Sequence, residues 1–257
     1  MNALPYFLLI GAFWPSLFWY SNRVSNIYEA IPGLLTITSA IVMSIILPRV
    51  EKKNRTSWAF PIFLVIVYCL SYMILPPMLK AFIALTAICS VICLQKYGNI
   101  LDLRIWGLFI LSLPVIPSLQ FYLGYPYRYS VAYITTPMIR FSGYSVSQEG
   151  TCLMWNKELV CIDAPCSGIN MLWAGLFLTF SLSCIFNLDL KNTIKSILVS
   201  IFIIYLGNML RSICLFYIES HIIRAPEWSH QAVGITSFIF VAASIFFFDY
   251  RIGRVKR

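Results

Sequence analysis

Residues 194–218 read IKSILVSIFIIYLGNMLRSICLFYI, a run of mostly apolar side chains that contains one lysine and one arginine. A helix needs about 20 mostly apolar residues to cross a bilayer, so this segment predicts a transmembrane helix. Similar segments occur along the whole chain. We expect about eight transmembrane helices, at about 4–20, 30–47, 58–75, 78–94, 104–123, 167–186, 194–218 and 230–249.

The composition agrees with a membrane protein. Of the 257 residues, 60% are hydrophobic and 11% are charged, whereas soluble domains carry roughly 25% charged residues. These values exclude a soluble globular protein and a disordered chain. We predict one integral membrane domain over 1–257, all-α and polytopic, with five N-terminal helices in 1–123. An outer loop with a hairpin follows in 124–166, and three helices and a basic tail occupy 167–257.

The net charge of +9 raises the question of a nucleic-acid partner, and the positions of the basic residues answer it. Lys and Arg concentrate in the cytoplasmic loops of membrane proteins. Twelve basic residues lie on one side of the predicted helices and six on the other, so both termini are predicted to be cytoplasmic. The charge then reflects topology, and we expect no nucleic-acid partner. The twelve are Arg49, Lys52, Lys53, Arg55, Lys96, Arg104, Lys191, Lys195, Arg251, Arg254, Lys256 and Arg257.

A short β-hairpin is predicted on the outer face, over 150–163 and before the sixth helix. If Asn156 and Lys157 form a two-residue turn, Cys152 and Cys161 lie opposite each other, close enough for a disulfide. The sequence leaves open whether the two are bridged. Cys166 is the third cysteine on this side, and an odd count leaves one thiol unpaired.

Cys166 lies in the sequence Asp163-Ala164-Pro165-Cys166-Ser167-Gly168-Ile169-Asn170, where the loop enters the sixth helix. Proline favours the first turn of a helix, and Asp or Ser can cap it. The positive end of the helix dipole favours a thiolate at this position. A buried structural cysteine is the alternative interpretation.

Two further polar side chains are predicted at a similar depth. Arg211 lies within the seventh helix, where an arginine costs about 2.5–3.5 kcal/mol; Asn208, one turn earlier, lies on the same face. His230 is at the outer end of the eighth helix. Taken singly, Arg211 could extend to the interface and His230 could be a solvated residue. Together with Cys166 they supply a nucleophile, an acid/base and an oxyanion-stabilising cation for acyl transfer.

These motifs resemble those of the exosortase/archaeosortase family of membrane-embedded cysteine transpeptidases. The resemblance is carried by Ala164-Pro165-Cys166-Ser167-Gly168-Ile169, by Asn208-Met209-Leu210-Arg211, and by His230 with Gly234. It covers about 146–249. The first five helices match only as generic hydrophobic segments.

The resemblance implies a membrane cysteine peptidase that processes secreted proteins carrying a C-terminal motif, a transmembrane helix and a basic cluster, as in PEP-CTERM-type signals. Cys166 would attack the peptide bond and form a thioacyl-enzyme. Arg211 would stabilise the oxyanion, His230 would be the general acid/base, and Asn208 would orient Arg211. An amine or a membrane lipid would resolve the intermediate. The site would lie at the outer face of the bacterial cytoplasmic membrane, and no cofactor or metal is expected.

Two other classes of protein fit parts of the pattern. A transporter or channel would use Arg211 to bind an anion, although the chain has no inverted repeat. A non-enzymatic subunit of an envelope-assembly complex would use the polar residues as ties between helices.

Overall fold

The computed structural model describes residues 4–23, 27–47, 58–162, 167–226 and 228–254, and most of them are helical. The helices are α1 Leu4–Ala12, α2 Trp14–Arg23, α3 Ile27–Ile46, α4 Ala59–Ser71, α5 Pro77–Tyr97, α6 Leu103–Ser112, α7 Val115–Phe141, α8 Ile169–Ile185, α9 Leu190–Glu219 and α10 Ser229–Arg254. The strands β1 Ser147–Glu149, β2 Cys152–Trp155 and β3 Glu158–Cys161 form one antiparallel sheet in that order.

Three helices in the described part of the chain, α5, α9 and α10, are long and apolar enough to cross a membrane by length and composition. The count rises to four if the bent pair α6 and α7 is taken as one span. The helices α4 and α8 are apolar but shorter. A polytopic, mostly helical protein is therefore confirmed, while the number of eight crossings stays a prediction.

Prolines divide two of the predicted spans. The span expected at 4–20 is two helices, because α1 ends at Ala12 and α2 begins at Trp14 with Pro15 in its first turn. Proline has no N–H to continue the preceding helix. The span expected at 104–123 is divided in the same way. Leu113 is extended before Pro114, as the residue before a proline tends to be.

The segment 124–166, which the sequence assigns to a loop, begins with a helix. The helix α7 continues to Phe141 and includes Pro126 and Pro137. Val131, Ala132 and Ile139 are buried on it at helical spacing. Packing of this apolar face stabilises the helix against the local effect of the two prolines.

The residues divide into two compact units, one over 1–115 and 180–193, the other over 116–179 and 194–257. The core of the first unit contains Leu9, Phe13, Tyr68, Ala87 and Val91. The rings of Phe13 and Tyr68 meet edge to face at 4.7 Å. An apolar core contributed by α1, α4 and α5 thus holds this unit together.

In the second unit, one face of the sheet packs against helices. Leu153 of β2 and Ile162 join Val131 of α7 and Phe216 of α9 in a buried cluster. Asn156 and Lys157 both have positive φ, as a two-residue type I′ turn requires. The register pairs Cys152 with Cys161, as the sequence predicts, and their sulfur atoms are bonded.

Close approach of α8, α9 and α10 depends on two glycines. A Cβ at Gly175 would lie 2.5 Å from Ile204 Cδ1, and one at Gly207 would lie 2.2 Å from Val241 Cγ2. Small residues allow helices to approach closely in membranes. The helix that follows Cys166 is thereby packed together with the two helices that carry Arg211 and His230.

Candidate active site

Cys166 lies in the segment 163–166, outside the described residues, and the structure describes the chain on both sides of it. The helix α8 begins at Ile169, three residues after Cys166. The Ser167 hydroxyl accepts a hydrogen bond from the Ile169 amide at 3.4 Å and donates one to Gln120 Oε1 at 2.8 Å. The chain after Cys166 thus leads directly into a helix N-terminus, where a partial positive charge is present.

The helix α7 contacts the chain on both sides of the segment 163–166. Arg128 Nη1 donates to the carbonyl oxygen of Ile162 at 3.3 Å, and Arg128 Nε donates to that of Gly124 at 3.1 Å. Gln120, two turns earlier, binds Ser167. The helix α7, which the sequence divides between the fifth predicted span and the outer loop, therefore holds both ends of the segment that carries Cys166.

Gly168 has little space around it. Its φ is +84°, and a Cβ at this position would lie 2.6 Å from Asn208 Cγ and 2.8 Å from Tyr127 Cε1. Only glycine combines this backbone conformation with such close contacts. Gly168 thus brings Asn208 of α9 against the backbone two residues after Cys166.

Asn208 is fully buried, and within the described ranges neither its side-chain oxygen nor its side-chain nitrogen has a hydrogen-bond partner. The Ser212 hydroxyl bonds only to the Asn208 main-chain oxygen, at 2.9 Å. A buried amide group costs about 1–3 kcal/mol when its hydrogen bonds are not made. Within the described part of the chain, no hydrogen bond offsets the cost of burying this amide.

Arg211 follows Asn208 by one helical turn and faces α10. Its Nε and Nη2 atoms lie 3.8 Å from the position of a Cβ on Gly234. Gly234 in turn follows His230 by one turn of α10. A Cβ at Gly234 would make ordinary van der Waals contact with the guanidinium, so Arg211 lies beside the first turns of α10.

His230 is paired with a carboxylate that the sequence analysis did not include in the site. Its Nε2 atom lies 3.5 Å from Oε1 of Glu219, and the two side chains are 42% and 38% exposed. Glu219 is the last residue of α9, and His230 is the second of α10. In the sequence, this pair is indicated by a glutamate at the end of one predicted helix and a histidine at the start of the next.

A cavity of about 30 Å³ lies beside this pair. Its lining joins the end of the hairpin to the two helices and consists of Leu153, Val160, Cys161, Ile162, Ser212, Leu215, Phe216, Glu219 and His230. A cavity of this size holds about one water molecule. The hairpin, α9 and α10 therefore meet where His230 is located.

Asp249 is a second charged residue that sequence reasoning passed over. It is fully buried near the end of α10, and its Oδ1 atom accepts a hydrogen bond from the Ser196 hydroxyl of α9. Three phenylalanines precede it directly in the chain, and an acidic residue after such an apolar run is a candidate for burial. Nineteen residues separate it from His230 on the same helix, and so it ties α9 to α10 far from that residue.

The described residues contain no group of three or more His, Cys, Asp or Glu side chains that could hold a metal ion. The chemistry available near His230 is that of an imidazole, a carboxylate and a guanidinium. These groups move protons and stabilise negative charge.

Comparison with known proteins identifies the family. The family model described as transmembrane exosortase matches residues 33–247, a range that contains all of the predicted site residues. No curated protein and no solved structure matches the chain. The match extends over most of the sequence. It begins within α3 and includes α4, α5 and α6, which carry none of the motifs quoted above. The chain belongs to the transmembrane exosortase family.

Proposed function

We propose that this protein is a membrane cysteine transpeptidase that cleaves C-terminal sorting signals of the PEP-CTERM type from secreted proteins. Cys166 is the nucleophile, His230 the general acid/base and Arg211 the residue that stabilises the oxyanion. Asn208 positions Arg211 and the segment that carries Cys166. Family membership supports the reaction class.

One observation carries the assignment of the residues. A single turn of α9 packs against Gly168 through Asn208, and Arg211 at the end of this turn lies beside Gly234, with its Nε and Nη2 atoms 3.8 Å from the position of a Cβ there. Gly168 follows Cys166 by two residues, and Gly234 follows His230 by one helical turn. Two segments distant in sequence thus lie next to one turn of a third, which is the arrangement that a Cys/His/Arg site requires.

The reaction has two acyl transfers. The Cys166 sulfur attacks the carbonyl carbon of the scissile peptide bond as His230 accepts the thiol proton, and Arg211 stabilises the resulting oxyanion. Collapse of the tetrahedral intermediate breaks the C–N bond. The leaving amine, which carries the C-terminal helix, takes the proton from His230. An amine, a lipid hydroxyl or water then attacks the thioester and restores the thiol.

Membrane anchoring of the substrate supports this reaction. We propose that eight helices cross the bacterial cytoplasmic membrane with both termini inside, so that the site lies at the outer face. A substrate helix that crosses the same bilayer presents its preceding segment at that face. Confinement of both molecules to the membrane supplies proximity before any specific contact forms.

The proposal is tested by co-expression with a secreted protein from the same genome that ends in a motif, an apolar helix and basic residues. Cys166→Ala is expected to remain inserted and abundant and to leave the C-terminal helix uncleaved. Cys214→Ala, which removes an exposed free thiol on α9, is the matched control and is expected to process normally. Normal processing by Cys166→Ala would show that Cys166 is not the nucleophile. A mild effect of Cys166→Ala together with a severe effect of Arg211→Ala would favour an anion transporter.

A further inference from the structure

The strand β3 forms one edge of the sheet, and β2 is its only strand neighbour among the described residues. The Ile162 amide donates to the Thr151 carbonyl at 3.2 Å. These two residues are opposite each other in the same register as Cys152 and Cys161. Opposed residues of antiparallel strands alternate between hydrogen-bonded and non-hydrogen-bonded pairs. Residues 158, 160 and 162 therefore bond to β2, whereas Leu159 and Cys161 direct their N–H and C=O groups to the open side.

The distance between two α-carbons supports this assignment. Cys152 and Cys161 have their Cα atoms 4.0 Å apart, close to the short spacing of about 4.5 Å that is typical of non-hydrogen-bonded pairs. The Leu159 residue is 54% exposed, and Cys161 is exposed as well. The strand has no proline and no bulge in its register, two devices by which proteins block an open edge.

The edge leads toward the candidate active site. Val160 and Ile162 line the same small cavity as Glu219 and His230. Cys166 follows Cys161 by five residues, a stretch of chain that spans at most about 17 Å. A peptide that lies along β3 is thus held beside the residues that would cleave it.

We propose that the open edge of β3 binds the recognition segment of the substrate as an added β-strand, through the backbone groups of Leu159 and Cys161. The inference rests on the proposed function and names how the substrate is held. Each of the two residues offers one donor and one acceptor, so the edge pairs with about four residues of extended peptide. The occupant is a peptide backbone, because a row of alternating amide donors and carbonyl acceptors complements an extended chain.

Two proline substitutions test the role of the edge. Leu159→Pro removes an amide that points to the open side and leaves the bonds to β2 intact, as proline is tolerated at edge positions. Gln148→Pro is the matched control on β1. Gln148 is opposite Leu153, whose backbone groups face β3, so the Gln148 amide points to the other open edge. This control also loses the side-chain bonds of Gln148 to Tyr129 and Gly150.

The measurement is kcat/KM for cleavage of the co-expressed secreted precursor, with full-length enzyme in membranes. The kcat/KM of Leu159→Pro is expected to fall roughly tenfold or more. The variant lacks the hydrogen bond that the Leu159 amide would donate to the peptide, and the proline ring hinders the approach of the peptide. Leu159→Ala keeps the amide, and its kcat/KM is expected to be at least fivefold higher than that of Leu159→Pro. Gln148→Pro is expected to match the wild type. Equal activity of Leu159→Pro and wild type would overturn the added strand and leave the proposed function standing. Absence of cleavage by the wild type would overturn both.

Amide hydrogen exchange provides a second measurement that needs neither cleavage nor a proline. Full-length Cys166→Ala in nanodiscs is compared with and without the uncleaved precursor. Binding is expected to slow exchange of the Leu159 and Cys161 amides at least roughly tenfold, as new hydrogen bonds protect them. The Gln148 amide is expected to exchange at the same rate in both samples. Unchanged exchange at Leu159 and Cys161 in the bound sample would overturn the proposal, even if Leu159→Pro failed to fold.

Discussion

Asn208 packs directly against the backbone of Gly168, with its Cγ atom 2.6 Å from the position that a Cβ on that glycine would occupy. The contact joins the middle of a long apolar helix to the start of the helix that follows Cys166. The amide side chain at this position is fully buried, and burying an apolar side chain there would cost less free energy. This cost supports the role that we propose for Asn208 in the site.

Gly168→Ala is expected to abolish most processing and to lower the melting temperature. The left-handed backbone costs about 1–2 kcal/mol for a residue with a Cβ, and the overlap with Asn208 and Tyr127 adds about 1–3 kcal/mol. Gly143→Ala is the matched control, because Gly143 also has a positive φ of 93° but no atom within 4 Å of the Cβ position. Gly143→Ala is expected to lose only the stability that the left-handed backbone costs, and to process its substrate normally. Equal effects in the two variants would show that the contact with Asn208 is unimportant.

Asn208→Leu distinguishes a role of this side chain in the reaction from a role in the stability of the fold. Leucine has the same count of four side-chain heavy atoms branched at Cγ and no polar atoms, so this substitution is expected to lower the melting temperature less than Gly168→Ala does. Processing is expected to fall by roughly tenfold or more, because the amide no longer orients Arg211 or the segment before Gly168. Thermal unfolding in detergent and the cleavage rate are measured on the same preparation. Normal cleavage with a raised melting temperature would assign the amide no part in the reaction.

Glu219→Gln is expected to reduce kcat with little change in KM. The substitution keeps the size of the side chain and removes the charge that lies 3.5 Å from Nε2 of His230. Loss of a general acid/base costs roughly 10²–10⁴ in rate, and loss of its charged partner is expected to cost less than that. Glu158→Gln, on the exposed start of β3, is the control and is expected to behave as the wild type. A change in KM alone would instead place Glu219 in substrate binding.

Arg128→Lys tests whether α7 positions the segment that carries Cys166. Lysine keeps the charge but cannot bridge the carbonyl oxygens of Gly124 and Ile162 as the planar guanidinium does. The cleavage rate is expected to fall roughly tenfold or more, since one hydrogen bond to a charged group contributes about 1.5–3 kcal/mol. Arg140→Lys breaks a comparable bond, from Arg140 Nε to the Val146 carbonyl, at the other end of the hairpin. An equal loss in both variants would indicate general weakening of the hairpin.

Much of this arrangement follows from short-range signals in the sequence. The hairpin register depends on a two-residue turn, and the helix starts near Cys166 and His230 depend on local capping and apolar pattern. Arg211 is conspicuous because charged residues are rare in an apolar helix. Local signals of this kind are readable without knowledge of the tertiary structure.

The remaining features arise from packing between distant segments. The sequence assigns residues 124–141 to the outer loop, but burial of Val131, Ala132 and Ile139 in the core of the second unit stabilises a helix there. The pairing of Glu219 with His230 depends on how the chain turns between α9 and α10. The requirement for glycine at position 168 depends on Asn208, forty residues away. Contacts of this kind leave no periodic pattern in the sequence.

The disulfide between Cys152 and Cys161 makes the predicted orientation testable. Disulfides form and persist in oxidising compartments, so the hairpin is expected to be bridged only if it lies outside the cytoplasm. In Cys152→Ser the exposed Cys161 thiol is expected to react, in intact spheroplasts, with a maleimide that does not cross membranes. Wild-type protein is expected to gain the same label only after reduction.

Loss of the bridge is also expected to lower the stability of the hairpin. A closed loop of this length stabilises by about 2–3 kcal/mol, mainly by restricting the unfolded chain. Exchange of the amides that bond β3 to β2 is therefore expected to accelerate in a Cys152→Ser, Cys161→Ser double variant, while the amides in the middle of α9 stay protected. The double variant also gives the background labelling of the remaining thiols, Cys166 among them, for the maleimide reaction. Labelling of Cys161 in Cys152→Ser only after the membrane is permeabilised would place the hairpin in the cytoplasm, and Cys166, five residues further along the chain, would then be on the wrong side for a secreted substrate.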